Sequence, residues 1–281
     1  MHRLLIFGLG YSGSAVALAA TQAGFAVTGT TRAGAGRTIP FEAAWAEINS
    51  ATHLLTTAAP NQSGDPVLAQ YSGAIEAATN LRWIGYLSST AVYGDRGGDW
   101  VDEDTPPAPS QGRGQRRLDA ENAWTGFADR CAVDIFRLAG IYGPGRSAFD
   151  DLRAGRARRM DKPGHQFGRI HRDDIAQAVV AAMQQDRPAG PRALNLADDE
   201  PSESAAVVTE AAALVGLAPP AKVAYEDALE TMSPMARSFW AENRKVSSAK
   251  TKAALAIDWR YPSYREGLRA IMAEESADRR S

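Results

Sequence analysis

Gly8, Gly10 and Gly13 stand in the spacing G-x-G-x-x-G, within Gly8-Leu9-Gly10-Tyr11-Ser12-Gly13. The chemistry this spacing serves is anion binding. The first glycine permits a tight turn and the second lets the backbone approach a pyrophosphate. The third lets a new helix pack closely on the preceding strand, with its free N–H groups facing the phosphates. Alone the motif is weak, because the chain has 25 glycines and glycine is common in ordinary turns.

The elements around the motif strengthen it. Residues 3–7 read as a buried strand, 14–23 as an alanine-rich helix closed by Gly24, and 25–30 as a second strand. Together they occupy about thirty residues, the size of a βαβ unit. At the end of the second strand an acid normally accepts from the ribose 2′-hydroxyl of NAD. This chain instead reads Thr28-Gly29-Thr30-Thr31-Arg32, with Arg37 shortly after. A guanidinium pairs with a 2′-phosphate and hydroxyls hydrogen-bond it, so NADP is expected over NAD. The alternative is that Arg32 and Arg37 are solvated loop charges.

Strand and helix periods continue to alternate. A strand at 52–57 is followed by Ala58-Ala59-Pro60, then an amphipathic helix at 66–79, a strand at 82–87, a helix at 115–127 and an apolar strand at 132–138. The economical architecture is α/β, a Rossmann-type doubly wound parallel sheet with the ligand across its carboxyl edge. Residues 1–146 would form the dinucleotide-binding core. Residues 147–281 would complete it and add a small carboxyl-terminal substrate lobe, with alanine-rich helices at 202–215 and 247–255. The cofactor contacts expected are Gly8, Gly10, Tyr11, Ser12, Gly13, Thr31, Arg32, Ala58, Ala59 and Pro60. In the lobe, the spacing of Met232, Met235, Phe239 and Trp240 suits either a pocket wall or the buried face of a helix.

Composition narrows the partners. With 281 residues, 44% of them apolar, the chain can build a substantial core, and its net charge of −2 supplies no field for nucleic acid or an anionic membrane. Small molecules are the expected ligands. Cys131 is the only cysteine, which excludes an internal disulfide and reads as core. No apolar run reaches the roughly eighteen residues that span a membrane, so a soluble, cytoplasmic protein is expected. Only four histidines occur, in no metal-ligand spacing, so no metal site is expected; Asp173 or Asp174 is predicted to cap a helix reaching Gln184, with His171 ordering the loop. The run Arg153, Arg156, Arg158, Arg159 and Lys162 suits either a solvated face or an anionic substrate. Residues 94–115, rich in glycine, proline and charge, read as a surface loop, a lid or a simple connector.

At the predicted sheet edge stands Leu87-Ser88-Ser89-Thr90-Ala91-Val92-Tyr93-Gly94-Asp95. Further on come Arg137-Leu138-Ala139-Gly140-Ile141-Tyr142-Gly143-Pro144-Gly145-Arg146, Arg169-Ile170-His171-Arg172-Asp173-Asp174-Ile175-Ala176 and Asn195-Leu196-Ala197-Asp198-Asp199-Glu200-Pro201. In this order and spacing the chain resembles the extended short-chain dehydrogenase/reductase and NAD-dependent epimerase/dehydratase superfamily over almost its whole length. Trp259-Arg260-Tyr261-Pro262-Ser263-Tyr264-Arg265-Glu266-Gly267-Leu268 is similar to the atypical YeeZ-like branch.

The resemblance implies a working set of Ser or Thr, Tyr and Lys: Tyr passes a proton, Lys lowers its pKa and orients the ribose, and Ser steadies the substrate oxygen. Ser89 matches the serine. With Glu121 as anchor, Arg113 stands where Tyr would and Arg117 where Lys would. A guanidinium, with a pKa above about 12, cannot act as the acid; Arg113 and Arg117 suit either an anion such as a carboxylate or phosphate or an exposed helix face. Tyr93 and Tyr142 lie near the edge and are expected to pack rather than react. The reading is an NADP-binding oxidoreductase or epimerase-like protein acting on a small, anionic organic substrate, in a homo-oligomer as relatives suggest. The alternatives are a noncatalytic NADP-binding regulator or redox sensor, and an interaction protein that keeps only the fold.

Overall fold

The structure is a computed structural model that describes residues 2–34, 36, 38–110 and 112–278. Its central sheet contains β1 (Arg3–Phe7), β2 (Ala26–Thr31), β3 (Thr38–Pro40), β4 (His53–Thr56), β5 (Trp83–Ser89), β6 (Ala132–Leu138) and β7 (Gly190–Leu196). They lie in the order β7-β6-β5-β4-β1-β2-β3, every adjacent pair parallel. The order reverses beside β1, and a doubly wound sheet opens its ligand crevice at such a switch point.

Both faces of the sheet are covered, and β1 shows how. Leu4 and Ile6 enter one core, shared with Val16 and Ala20 of α1 (Tyr11–Gln22). Leu5 and Phe7 enter the other, where Ile48 of α2 (Trp45–Ser50) and Tyr71 of α3 (Pro66–Ala77) meet Trp124 of α4 (Gly112–Thr125). A strand buried on both sides needs apolar residues at successive positions, hence the unbroken Leu-Leu-Ile-Phe run. A lobe beside the sheet begins with α5 (Ala148–Arg153) and α7 (Ser204–Leu214), while α6 (Arg172–Met183) packs beside α1 in the sheet's own core. The lobe continues with α8 (Tyr225–Ala228), α9 (Pro234–Trp240) and α11 (Tyr264–Asp278), and α10 (Ala249–Leu255) packs on α6 and β7. Phe149, Ala211, Tyr264, Leu268 and Ile271 form a core of their own. Among the described residues no helix is long and apolar enough to cross a membrane.

Two local expectations are corrected. The cap of α6 is His171, whose Nδ1 accepts from the Asp173 N–H at 3.2 Å. Asp174 instead accepts from the backbone N–H groups of Arg260 at 2.7 Å and Tyr261 at 3.2 Å, anchoring the chain that enters α11. The 94–115 segment is no free surface loop: Trp100–Val101 pairs in parallel with Lys245–Val246, and Val101 is buried.

Helix α4 is held to the sheet by a buried polar network. Arg137 Nη2 lies 2.8 Å from Glu121 Oε2, with both side chains under one-tenth exposed. Ser88 Oγ donates to Glu121 Oε1 at 2.5 Å, Arg137 Nη1 donates to the Tyr93 hydroxyl at 3.0 Å, and that hydroxyl donates to Asn195 Oδ1 at 2.8 Å. Removing one partner strands a charge that water cannot reach. Arg137→Met is therefore expected to lower unfolding free energy by about 3–5 kcal/mol in a urea titration. The double substitution with Glu121→Met should recover part of that loss.

Candidate cofactor cradle and substrate cleft

The glycine turn is built from the close approaches its residues allow. Gly8 sits at φ +97°, its N–H donates to Thr30 Oγ1 at 3.1 Å, and its carbonyl accepts from Thr57 Oγ1 at 2.7 Å. A Cβ on Gly13 would fall 2.2 Å from the Gly8 carbonyl oxygen, so only glycine lets α1 start this close to β1. A Cβ on Gly10 would meet nothing within 4 Å. Helix α1 has no acidic residue in its first turn and no side-chain cap. The N–H groups of Tyr11, Ser12 and Gly13, which a helix cannot satisfy internally, are thus disposed toward an anion.

The other cofactor candidates gather at the same edge. Thr31 ends β2, where its Oγ1 lies 3.2 Å from Thr38 Oγ1 and accepts the Gly34 N–H at 3.0 Å. Arg32 follows, exposed and without a hydrogen bond or ion pair to any described residue. Arg37 lies outside the described residues. Ala58, Ala59 and Pro60 follow Thr57 at the end of β4, next to the glycine turn. The Tyr11 side chain points elsewhere: its hydroxyl donates to the Pro144 carbonyl at 3.0 Å, and the guanidinium centres of Arg172 and Arg146 lie 5.1 Å and 5.7 Å from its ring.

Beyond β5 and β6 a cleft of about 380 Å³ opens between the sheet and the lobe. Ser89 is on its wall, where its Oγ also accepts the Ala91 N–H at 3.2 Å and caps the turn after β5. Arg113 is on the wall too, half-buried, with its guanidinium centre 4.0 Å above the Phe239 ring and no hydrogen bond or ion pair to any described residue. Burial holds its pKa below the usual arginine value, against the pull of Glu242. Arg117 does not reach the cleft. Its Nη1 donates to the Leu87 carbonyl at 2.9 Å and the Tyr86 hydroxyl at 3.0 Å, tying α4 to β5. The structure therefore brings Ser89 and Arg113 together and turns Arg117 to the sheet.

Both nearby tyrosines pack. Tyr93 belongs to the network beneath α4, and burial pushes its pKa up. The Tyr142 hydroxyl donates to the Ser263 carbonyl at 3.3 Å, and burial raises its pKa further. Of the lobe candidates, Phe239 and Trp240 line the cleft, Met232 is buried in a satellite core and Met235 is exposed. The basic run is largely tied up in the lobe. Arg153 pairs with Glu275, Arg156 with Asp151, Arg158 Nη1 donates to Thr231 Oγ1, and Lys162 Nζ donates to the Trp240 carbonyl.

Three charged cleft residues were not singled out from sequence: Arg169, Glu242 and Arg244. Glu242 accepts from Ser110 Oγ at 2.9 Å and from Arg244 Nη1 at 2.7 Å. Beside Arg169, Asp198 is buried with neither carboxylate oxygen hydrogen-bonded to a described residue.

No family model matches the chain. It is 29% identical over 244 residues to Protein YeeZ of Escherichia coli K12, covering 78% of this chain and 86% of that one. A conserved protein of unknown function from Silicibacter pomeroyi superposes with a TM-score of 0.89 at 40% identity, over 98% of this chain and 99% of that one. A Methylobacillus flagellatus protein, named as a NAD-dependent epimerase/dehydratase, superposes with a TM-score of 0.76 at 27% identity over the same shares.

The chain is thus similar in sequence to YeeZ over most of its length and shares its fold with a protein named as a NAD-dependent epimerase/dehydratase. Where the resemblance implies a working tyrosine and lysine, the chain has Arg113 and Arg117. One of these faces the cleft and one faces the sheet, so the two replacements do different things.

Gly10→Ala should leave the melting temperature close to that of the parent, because its Cβ enters open space. Gly13→Ala should cost about 1–3 kcal/mol by forcing α1 off β1. Calorimetric unfolding separates the two.

Burial pushes the Asp198 carboxyl from its ordinary 3.8 up to about 8, against the pull of Arg169. The folded chain therefore holds this proton while the unfolded chain releases it. Stability present at low pH is lost as pH rises from about 4 to 8. His53, His165 and His171, pushed down to about 4 by burial, work the other way and lose stability as pH falls below 6.5. Asp198→Asn should be more stable than the parent at pH 8, by on the order of 2–5 kcal/mol. That advantage should shrink toward pH 5 in thermal melts.

Proposed function

We propose that the chain is an NADP-dependent oxidoreductase or epimerase-like enzyme acting on a small anionic organic molecule. The observation that carries this reading is spatial. The open glycine cradle and the cleft sit at the same carboxyl edge of one sheet, with Ser89 on the cleft wall at the end of β5. The open space at Gly10 and the uncapped start of α1 suit a pyrophosphate, and the exposed Arg32 beside Thr31 suits a 2′-phosphate. A bound nicotinamide supplies or accepts hydride. In this reading the chain's own residues do the rest: the first N–H groups of α1 hold the phosphates, Ser89 steadies a substrate oxygen, and Arg113 anchors an acidic group.

A second reading is favoured by the proton inventory of the cleft. Its wall holds no lysine or histidine among the described residues, and the hydroxyl of its one tyrosine, Tyr142, is given to a backbone carbonyl. Both oxygens of Glu242 are occupied. A missing acid costs about 10²- to 10⁴-fold in rate. That loss permits slow turnover, and it equally suits a noncatalytic NADP-binding regulator or redox sensor.

Calorimetric titration of nucleotide-stripped protein is expected to show NADPH binding more tightly than NADH. Gly10→Val should weaken both. Arg32→Ala should weaken NADPH by about ten- to a hundredfold and leave NADH nearly unchanged. Failure of either nucleotide to bind removes the enzyme and sensor readings together. Substrate-dependent oxidation of NADPH favours the enzyme; a partner whose affinity follows the cofactor's redox state favours the sensor.

A further inference from the structure

Arg169 is held in one orientation. Its Nη1 donates to the Phe167 carbonyl at 3.1 Å, the Ser202 carbonyl at 3.2 Å and Ser202 Oγ at 2.6 Å. The Tyr264 ring lies 5.9 Å from its guanidinium centre. Among the described residues nothing accepts from its Nε or Nη2. Those two N–H groups form the side edge of the guanidinium, the pair that a planar carboxylate takes with two parallel hydrogen bonds.

Its charge is also uncompensated. Arg169 makes no ion pair with any described residue, and burial pulls its pKa below the usual arginine value. The nearby acid, Asp198, is held largely protonated at neutral pH by its own burial. Arg113 repeats the pattern on the same cleft wall, seated on Phe239 with its donors unpaired. Arg244 differs, because Glu242 neutralises it. The cleft thus carries two guanidinium groups without counter-charges, and its apolar rings include Phe167 and Trp240, whose centroids are 4.9 Å apart at 85°. One anionic group would satisfy one arginine and leave the other unpaired.

We infer that the cleft takes a small organic dianion, with a carboxylate on the Nε/Nη2 edge of Arg169, a second anionic group on Arg113 and its carbon skeleton against the aromatic wall. This rests on the reading of the cleft as the substrate site and names the class of molecule that fills it.

The test is calorimetry on NADPH-saturated protein at fixed ionic strength, with succinate, glutarate and adipate as dianions and butyrate as the single-charge control. At least one dianion is expected to bind about tenfold or more tightly than butyrate. Arg113→Ala and Arg169→Lys should each weaken that dianion by about ten- to a hundredfold, with melting temperatures confirming that the variants fold. Asp198→Asn should leave its affinity unchanged.

The inference is overturned if no dianion exceeds butyrate, or if neither arginine variant alters its binding. It is also overturned if dianions bind only after Asp198→Asn, since Asp198 would then be the counter-ion of Arg169. NADPH binding without any dianion binding sinks this inference and leaves the nucleotide reading standing. Dianion binding that needs both arginines, in a chain that binds no nucleotide, does the reverse.

Discussion

A carboxylate and a guanidinium, both sealed from water, fix where everything on helix α4 can be. Glu121 and Arg137 join the helix to β6, Ser88 extends the link to β5, and Tyr93 with Asn195 extends it to β7. Arg113, Arg117 and Glu121 are spaced four apart and so share one face of α4. Followed toward its amino end, that face passes from the buried ion pair, through Arg117 bonded to the β5 backbone, to Arg113 at the cleft. The position of the cleft arginine is therefore set two turns away, by a pair whose desolvation is costly and whose geometry has little freedom.

The opposite wall is delivered by a different constraint. Parallel pairing of Trp100–Val101 with Lys245–Val246 pins the segment that carries Glu242 and Arg244, and Arg244 Nη1 also donates to the Gly94 carbonyl at 2.8 Å. Phe239, at the end of α9, reaches across to Arg113. The long polar segment after β5 thus acts as a strap between sheet and lobe. Its acids serve the same purpose: Asp102 and Asp104 hold Lys250, and Glu103 accepts from Thr251 Oγ1 at 2.5 Å and from the Asn195 N–H at 3.2 Å.

What could be read from sequence follows the range of the interactions involved. The first strand, glycine turn and helix were legible because their signals are local: an apolar run, three glycines and an alanine-rich stretch. Helix α1 nevertheless begins at Tyr11, three residues earlier than its composition suggests, because the turn itself supplies the helix start. β3 and β7 were not foreseen as strands; β3 is three residues long, and β7 opens with Gly190-Pro191-Arg192. Ser89 and Arg113 were found by position relative to a family pattern. Nothing local distinguished Arg113 from Arg117, since only packing against β5 decides which one is free. Arg169 stood inside a recognised motif without a role. Glu242 and Arg244 carried no signal, because their place depends on a strand pairing between segments more than a hundred residues apart in the chain.

An arginine at position 113, where the resemblance implies a tyrosine, bears on the kind of work the cleft can do. A phenol moves a proton and carries no charge while it waits. A guanidinium keeps its proton and presents charge throughout, so it favours an anionic ligand before, during and after any reaction. Positioning alone can still contribute strongly, with effective molarities on the order of 10⁵ M for well-placed groups, which exceeds the usual contribution of one acid. On this wall, negative charge that develops on the ligand can be stabilised in place, whereas a guanidinium gives up no proton. In the proposed reading the arrangement is suited first to holding an acid at the edge of the sheet, and to proton transfer only where a group other than Arg113 supplies the proton.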